Sequence, residues 1–149
     1  MNFMNEAINE GIKAFKKGEV PVGAVIVKDG FIIGRGHNLK EEKKDPTMHA
    51  EIIAIQEACK VIGDWRLTGC EIYVTLEPCP MCLGALLQSR ISKIYIGTFN
   101  KDMGACGSVV NLVDNRSLNS FIETIWTYDK KCSKLIEDFF RQKRKYKNM

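Results

Sequence analysis

Apolar residues along positions 2–17 recur at helical spacing, with Met4, Ala7, Ile8, Ile12 and Phe15 on one face, and the run stops at Gly18. The pattern then changes. Positions 22–27 form a continuous, largely β-branched apolar run, Asp29-Gly30 is a two-residue hairpin turn, and Phe31-Ile32-Ile33 is the returning strand. Positions 37–48 read as a polar loop, closed by Asp45-Pro46-Thr47 just before a helix over 49–61. That helix is apolar on most faces (Ile52, Ile53, Ile55, Ala58, Cys59), the composition of a buried helix. A strand over 71–76, an apolar helix over 79–89 and a strand over 93–99 follow. A loop with Gly104 and Gly107 leads to a strand around 121–126. The last helix, from about 129, carries Cys132, Leu135, Ile136, Phe139 and Phe140 as its core stripe.

The predicted order is α-β-β-α-β-α-β-β-α. Its middle portion alternates strand and helix, which requires right-handed crossovers with helices on both faces of one sheet. The economical solution is an α/β fold, a three-layer α/β/α sandwich around a central five-stranded mixed sheet. At 149 residues the chain is one domain, residues 1–149, able to bury a core without staples.

Composition narrows the classes. The chain is 45% hydrophobic and 27% charged, as in an ordinary soluble globular protein. No apolar run reaches the length of a membrane span. The first residues lack a basic stretch followed by an apolar core, so the expected compartment is the cytoplasm. Of six cysteines, Cys79 and Cys82 form a Cys-x-x-Cys, and Cys59, Cys70, Cys106 and Cys132 are scattered; reduced thiols are expected there.

The net charge of +4 is mild, but Arg141, Lys143, Arg144, Lys145 and Lys147 crowd the end of the chain. One reading is a solvated helix end whose cations suit the helix dipole. The other is a tail that contacts phosphates.

Two short segments carry chemistry, His49-Ala50-Glu51 and Pro78-Cys79-Pro80-Met81-Cys82. Both fall at predicted helix starts, the second directly after a strand, where sites form in such sheets. Cys79 and Cys82 share one face of a first helical turn, so both sulfurs can reach one ion, and the positive helix end favours thiolates. With His49 they make a Cys2His zinc set that leaves one tetrahedral position open. Two thiolates cancel the ion's formal charge, so bound water is acidified less than in a three-histidine site and a nearby proton acceptor matters. Glu51 is the expected acceptor. It would take a proton from a zinc-activated water and deliver protons to the ring nitrogen and departing amine of an amidine-type group. A purely structural zinc site would need a fourth protein ligand. The other histidine, His37, lies in the predicted loop, and such a site would leave Glu51 without a use.

The His-x-Glu and Pro-Cys-x-x-Cys segments resemble the signature of zinc deaminases. Over most of its length the chain resembles the bacterial tRNA-specific adenosine deaminases, which convert wobble adenosine to inosine. The likeness runs through Gly18-Glu19-Val20-Pro21-Val22-Gly23-Ala24-Val25, His37-Asn38-Leu39, Asp45-Pro46-Thr47, Trp65-Arg66-Leu67, Tyr73-Val74-Thr75-Leu76-Glu77-Pro78-Cys79, Gln88-Ser89-Arg90-Ile91 and Phe139-Phe140-Arg141. The resemblance implies a cytidine deaminase-like fold and one zinc per subunit on His49, Cys79 and Cys82, with Glu51 as proton donor and acceptor. Asn38 would hydrogen-bond the flipped base, Val20 would line its pocket, and Ala50 and Pro78 would belong to the substrate site. Arg141, Lys143, Arg144 and Lys145 would meet RNA phosphates. The implied partners are a tRNA anticodon loop and a second copy of the chain, with the helix from Cys79 as the contact element. Asn100 stands where many relatives carry Asp, Met48 where a smaller alanine is usual, and Leu118-Asn119-Ser120-Phe121 lacks a common Phe-Asn-His sequence. The competing functions are a deaminase of a free base or nucleoside, guanine or cytosine, and a noncatalytic zinc-stabilised RNA-binding module.

Overall fold

A computed structural model describes residues 1–147 of the chain. Its helices are α1 (Phe3–Lys16), α2 (Lys40–Lys43), α3 (Ala50–Ile62), α4 (Pro80–Gln88) and α5 (Lys130–Lys147). Its strands are β1 (Gly23–Lys28), β2 (Phe31–His37), β3 (Glu71–Leu76), β4 (Lys93–Thr98), β5 (Asp114–Asn115), β6 (Ser120–Phe121) and β7 (Glu123–Trp126). The main sheet has five strands in the order β2-β1-β3-β4-β7. β1 runs antiparallel to β2 and β3, and β3, β4 and β7 run parallel, so the sheet is mixed as expected.

Local chemistry sets the element ends. Asn2 caps α1 by accepting the Asn5 N–H at 3.1 Å. Asp29 and Gly30 both have positive φ, the requirement of the tight hairpin turn that joins Lys28 to Phe31. Alternation along the strands then sorts the two faces. Ala24, Ile26, Ile72, Val74, Ile94 and Ile96 meet α3 and α4 through Ala54, Ala58, Leu83 and Leu86. Val25 and Val27 face the other way, onto Met4, Ala7 and Ile8 of α1 and Cys132 of α5. Helices therefore cover both sides of the sheet.

β2 runs to His37, past the predicted end at residue 33. Gly34 and Gly36 are strand positions on which α3 lies directly. A Cβ at Gly34 would meet the Ala54 carbonyl oxygen at 2.3 Å, and one at Gly36 the Ala50 carbonyl oxygen at 2.2 Å. The predicted loop 37–48 also contains α2, which its own polar sequence does not announce. Its cause is distant: Glu19 accepts the N–H groups of Glu41 and Glu42 at 3.0 and 2.8 Å.

The strand expected around 121–126 is divided. β7 joins the main sheet, whereas β6 pairs with β5 in a separate two-stranded ribbon. The stripe of α5 is narrower than expected, with Cys132 and Phe139 buried, Leu135 and Ile136 partly so, and Phe140 exposed. That helix packs mainly on β4 and α1, so much of its circumference faces solvent.

Candidate active site

His49 and Cys79 occupy the N-cap positions of α3 and α4, both with extended backbone, and neither side chain caps its own helix. Pro80 follows Cys79 at the first helical position, where its missing N–H costs nothing. Cys82 lies in the first turn of α4. The three side chains meet: His49 Nδ1 is 3.7 Å from Cys79 Sγ and 3.4 Å from Cys82 Sγ. All three ligand atoms lie within 4.8 Å of one another, and among the described residues no fourth His, Cys, Asp or Glu joins the group. A tetrahedral zinc with its usual bond lengths to nitrogen and sulfur places those atoms about 3.5 Å apart. The residues present fit zinc, with a coordination position left over for chemistry.

Two helix N-termini point at this cluster, which favours negative charge on the sulfurs. The Cys79 thiol is held down to about 4, first by its hydrogen bond with Cys82 and then by the imidazole. Cys82 is pushed up by the same bond, so the pair shares one proton. The hydrogen bond to Cys79 also raises His49. Glu51, one residue into α3, is 3% exposed, and burial lifts its carboxyl to about 7. A carboxyl poised there can both accept and return a proton near neutral pH.

His37 is a correction. It is the last residue of β2 rather than a loop residue, and its side chain is largely buried. Nδ1 lies 3.0 Å from Glu10 Oε1 and Nε2 lies 3.1 Å from Lys17 Nζ. It is engaged on the α1 side and takes no part in the ligand set.

A cavity of about 290 Å³ opens beside the cluster, at the lower end of the size range for small-molecule sites. His49, Glu51 and Cys79 contribute to its wall, as do Val20, Asn38, Asn100 and Met103. Asn38 is 9% exposed, and its Oδ1 accepts the Ala50 N–H at 2.9 Å. That bond satisfies an otherwise unpaired donor at the start of α3. It leaves the Asn38 amide NH2 as the group available to a ligand.

Ala50 and Pro78 are not part of the lining. Both are buried; the Ala50 N–H is spent on Asn38, and the Pro78 carbonyl accepts the Ala105 N–H at 2.9 Å. Both therefore hold main chain beside the cavity, next to the residues that line it. Arg141, Lys143, Arg144 and Lys145 are exposed on the last turns of α5, and Lys143 reaches the cavity wall. Arg141 is paired with Asp138 at 3.3 Å. The basic residues end at Lys147, and residues 148–149 lie outside the described residues.

Two carboxylates matter here that spacing alone does not reveal. Glu19, 2% exposed, fixes α2 at the cavity mouth. Glu77, 1% exposed, accepts N–H bonds from Asn100 at 3.1 Å, Cys106 at 2.9 Å and Ser108 at 3.2 Å, and also bonds the Ser108 hydroxyl. It thereby fastens the loop that brings Asn100 and Met103 to the cavity. The available signal was a lone acid inside Thr75-Leu76-Glu77-Pro78, next to a ligand cysteine.

Residues 1–98 match the cytidine and deoxycytidylate deaminase zinc-binding region. The chain is 46% identical over 146 residues to a tRNA-specific adenosine deaminase of Bacillus subtilis (strain 168), covering 97% of this chain and 91% of that one. It superposes with a TM-score of 0.86 on a chain solved in studies of A-to-I editing by tRNA:A34 deaminases at the wobble position of transfer RNA. That chain is 36% identical, with 89% of this chain and 97% of the other covered. A guanine deaminase from Bacillus subtilis is 42% identical, with a TM-score of 0.64 and 68% of each chain covered. The chain belongs to the bacterial tRNA-specific adenosine deaminase family, within the zinc-binding cytidine and deoxycytidylate deaminases.

Proposed function

We infer that this chain, acting as one zinc-dependent domain over residues 1–149, hydrolytically deaminates adenosine to inosine at the wobble position of a tRNA anticodon. The observation that carries this reading is the convergence of His49, Cys79, Cys82 and the buried Glu51 on one cavity that also holds Val20 and Asn38. An anticodon loop is single-stranded, so a target base can be splayed into such a cavity without melting a duplex.

One zinc per subunit would be held by His49 Nδ1, Cys79 Sγ and Cys82 Sγ, where it supplies an acidified water as the nucleophile. The chain's own residues do the rest. Glu51 accepts a proton on its carboxylate, holds it in a site that favours the neutral acid, and returns it to the ring nitrogen of the base. A second passage through the same carboxyl protonates the departing amine, so ammonia leaves. Asn38 Nδ2 donates to the base and orients it, and Val20 packs on its face. Lys143, with Arg141, Arg144 and Lys145, meets phosphates at the rim.

The proposed compartment is the cytoplasm, where a bacterial tRNA substrate is found. A second copy would cover α4, whose Met81 is 38% exposed and whose Gly84 faces open space. The test is incubation of the zinc-loaded protein with a panel of unmodified tRNAs, followed by sequencing for A-to-G changes. Conversion confined to wobble adenosine is expected. No change at any anticodon position, with ammonia released from guanine or cytosine, would replace this reading with a free-base deaminase.

A further inference from the structure

Outside the cavity, at the carboxyl ends of β4 and β7, Phe99, Trp126 and Tyr128 form one aromatic cluster. Their ring centroids are 4.9 Å (Phe99–Trp126), 5.4 Å (Phe99–Tyr128) and 5.8 Å (Trp126–Tyr128) apart, and the last pair is within 15° of parallel. Trp126 is partly buried, but Phe99 and Tyr128 are 53% and 60% exposed. Ring–ring contact alone does not call for so much apolar surface in water.

The backbone adds an independent observation. Thr127 and Asp129 donate their N–H groups to the carbonyls of Ile96 and Gly97 at 2.9 and 2.8 Å, so the chain is fastened to β4 on both sides of Tyr128. The residue between is left with φ of 50°, in the left-handed region. Glycine or asparagine sits there at little cost, whereas a bulky aromatic residue is an outlier. The strain maintains an exposed ring beside Trp126, and strain of this kind gathers at functional surfaces.

Position decides the occupant. Phe99 is the residue immediately before Asn100, which lines the cavity, so the aromatic surface begins where the cavity wall ends. We propose that Phe99, Trp126 and Tyr128 are a stacking platform for an unpaired nucleobase that flanks the target adenosine in the RNA substrate. The proposal rests on the function inferred above. A base seated in the cavity draws its neighbours across this rim, and splayed bases of a single-stranded loop present flat faces that aromatic side chains bind without sequence preference. The exposed cations of α5 supply phosphate attraction, and the platform supplies stacking.

The experiment uses full-length, zinc-loaded protein and an anticodon stem-loop RNA with a wobble adenosine. Tyr128→Gly removes the ring and suits the positive φ, so the fold is kept, and Tyr128→Trp restores a stacking surface. Tyr128→Gly should raise KM and Kd for the stem-loop at least about tenfold while kcat stays near the parent value, and Tyr128→Trp should stay near the parent in all three. In a Trp65→Phe background Trp126 is the sole tryptophan reporter, and its emission should be quenched by the RNA. Unchanged KM and Kd in Tyr128→Gly, with Trp126 emission unmoved, overturn the platform and leave the deaminase reading intact. Failure of the parent protein to convert the stem-loop or any tRNA overturns that reading itself. A Tyr128→Gly protein that loses self-association while RNA affinity is unchanged also overturns the proposal, and makes the cluster a contact between copies.

Discussion

Glu77 is the residue on which the cavity's far loop depends, and removing its carboxylate has a cost that can be worked from its contacts. Three backbone N–H groups, of Asn100, Cys106 and Ser108, and one hydroxyl converge on two oxygens that solvent barely reaches. In Glu77→Ala these donors lose their acceptor, at about 1–3 kcal/mol for each group left unsatisfied. Water entering the vacated space recovers part of that. The expected net loss is about 3–6 kcal/mol, and at roughly 2–4 °C per kcal/mol for a chain of this size the Tm falls on the order of 10–20 °C. Glu77→Gln is the finer probe. Its amide oxygen can take the Cys106 and Ser108 N–H groups, but its NH2 then faces the Asn100 N–H, donor against donor. The expected loss is about 2–3 kcal/mol, with KM for RNA rising because Asn100 and Met103 no longer hold the cavity wall. Urea unfolding of the zinc-loaded variants gives the stability, and steady-state kinetics on a tRNA stem-loop give KM. A loss below about 1 kcal/mol in Glu77→Ala would refute the claim that this carboxylate fastens the loop.

Other residues lead to equally definite outcomes. Glu51→Gln should keep zinc, measured by atomic absorption, and lose deamination. Because burial raises the Glu51 carboxyl from 4.5 to about 7, the folded protein retains a proton that the unfolded chain releases between those values. Stability therefore declines as pH rises through that window, and metal-free Glu51→Gln should exceed the parent by up to about 3 kcal/mol above pH 7 and match it near pH 4.5, as read by urea unfolding at pH 4.5 and 8. Gly104→Ala should destabilise by several kcal/mol, since its Cβ would lie 2.5 Å from both the Glu77 carboxylate and the Asn100 carbonyl oxygen, whereas nothing stands within 4 Å of a Cβ at Gly84. In a thermal melt of the single chain, Gly84→Ala should accordingly gain about 0.5–1 kcal/mol from helix propensity. His37→Ala should leave zinc content at the parent level while costing stability at Glu10, whose Oε1 loses its partner although Oε2 keeps Lys13, and a loss of bound zinc would contradict its exclusion from the ligand set.

How far the chain could be read from its letters depended on the range of each cause. The hairpin at Asp29-Gly30 and the start of α4 at Cys79-Pro80 are local, so their turn and cap chemistry is visible in a few neighbouring residues. The grouping of His49 with Cys79 and Cys82 was legible because zinc restricts its ligands to few types and spacings. The unread parts have distant causes. α2 exists because Glu19 reaches it from elsewhere, and β2 continues through two glycines because a helix presses on them. Asn38 was read as a base contact from resemblance, while its bond to Ala50 depends on a fold that brings the end of β2 to the start of α3. The α5 stripe is narrower than its periodicity suggests, since periodicity marks an apolar face but not how much of it β4 and α1 cover.

The bare main chain of Gly34 and Gly36 under α3 has a consequence for altering what this enzyme accepts. A helix seated on side chains can settle by a rotamer change or the loss of a methyl group; one seated on peptide groups has no such adjustment. His49 and Glu51 ride at the end of that helix, so over β2 their height above the sheet is set by backbone thickness. Substitutions that enlarge this seam would lever out the proposed metal ligand and the proposed proton carrier together. A protein engineer widening the substrate range should therefore leave this seam alone and vary the loops that carry Val20, Asn100 and Met103, where reshaping the cavity does not dislodge the metal ligands.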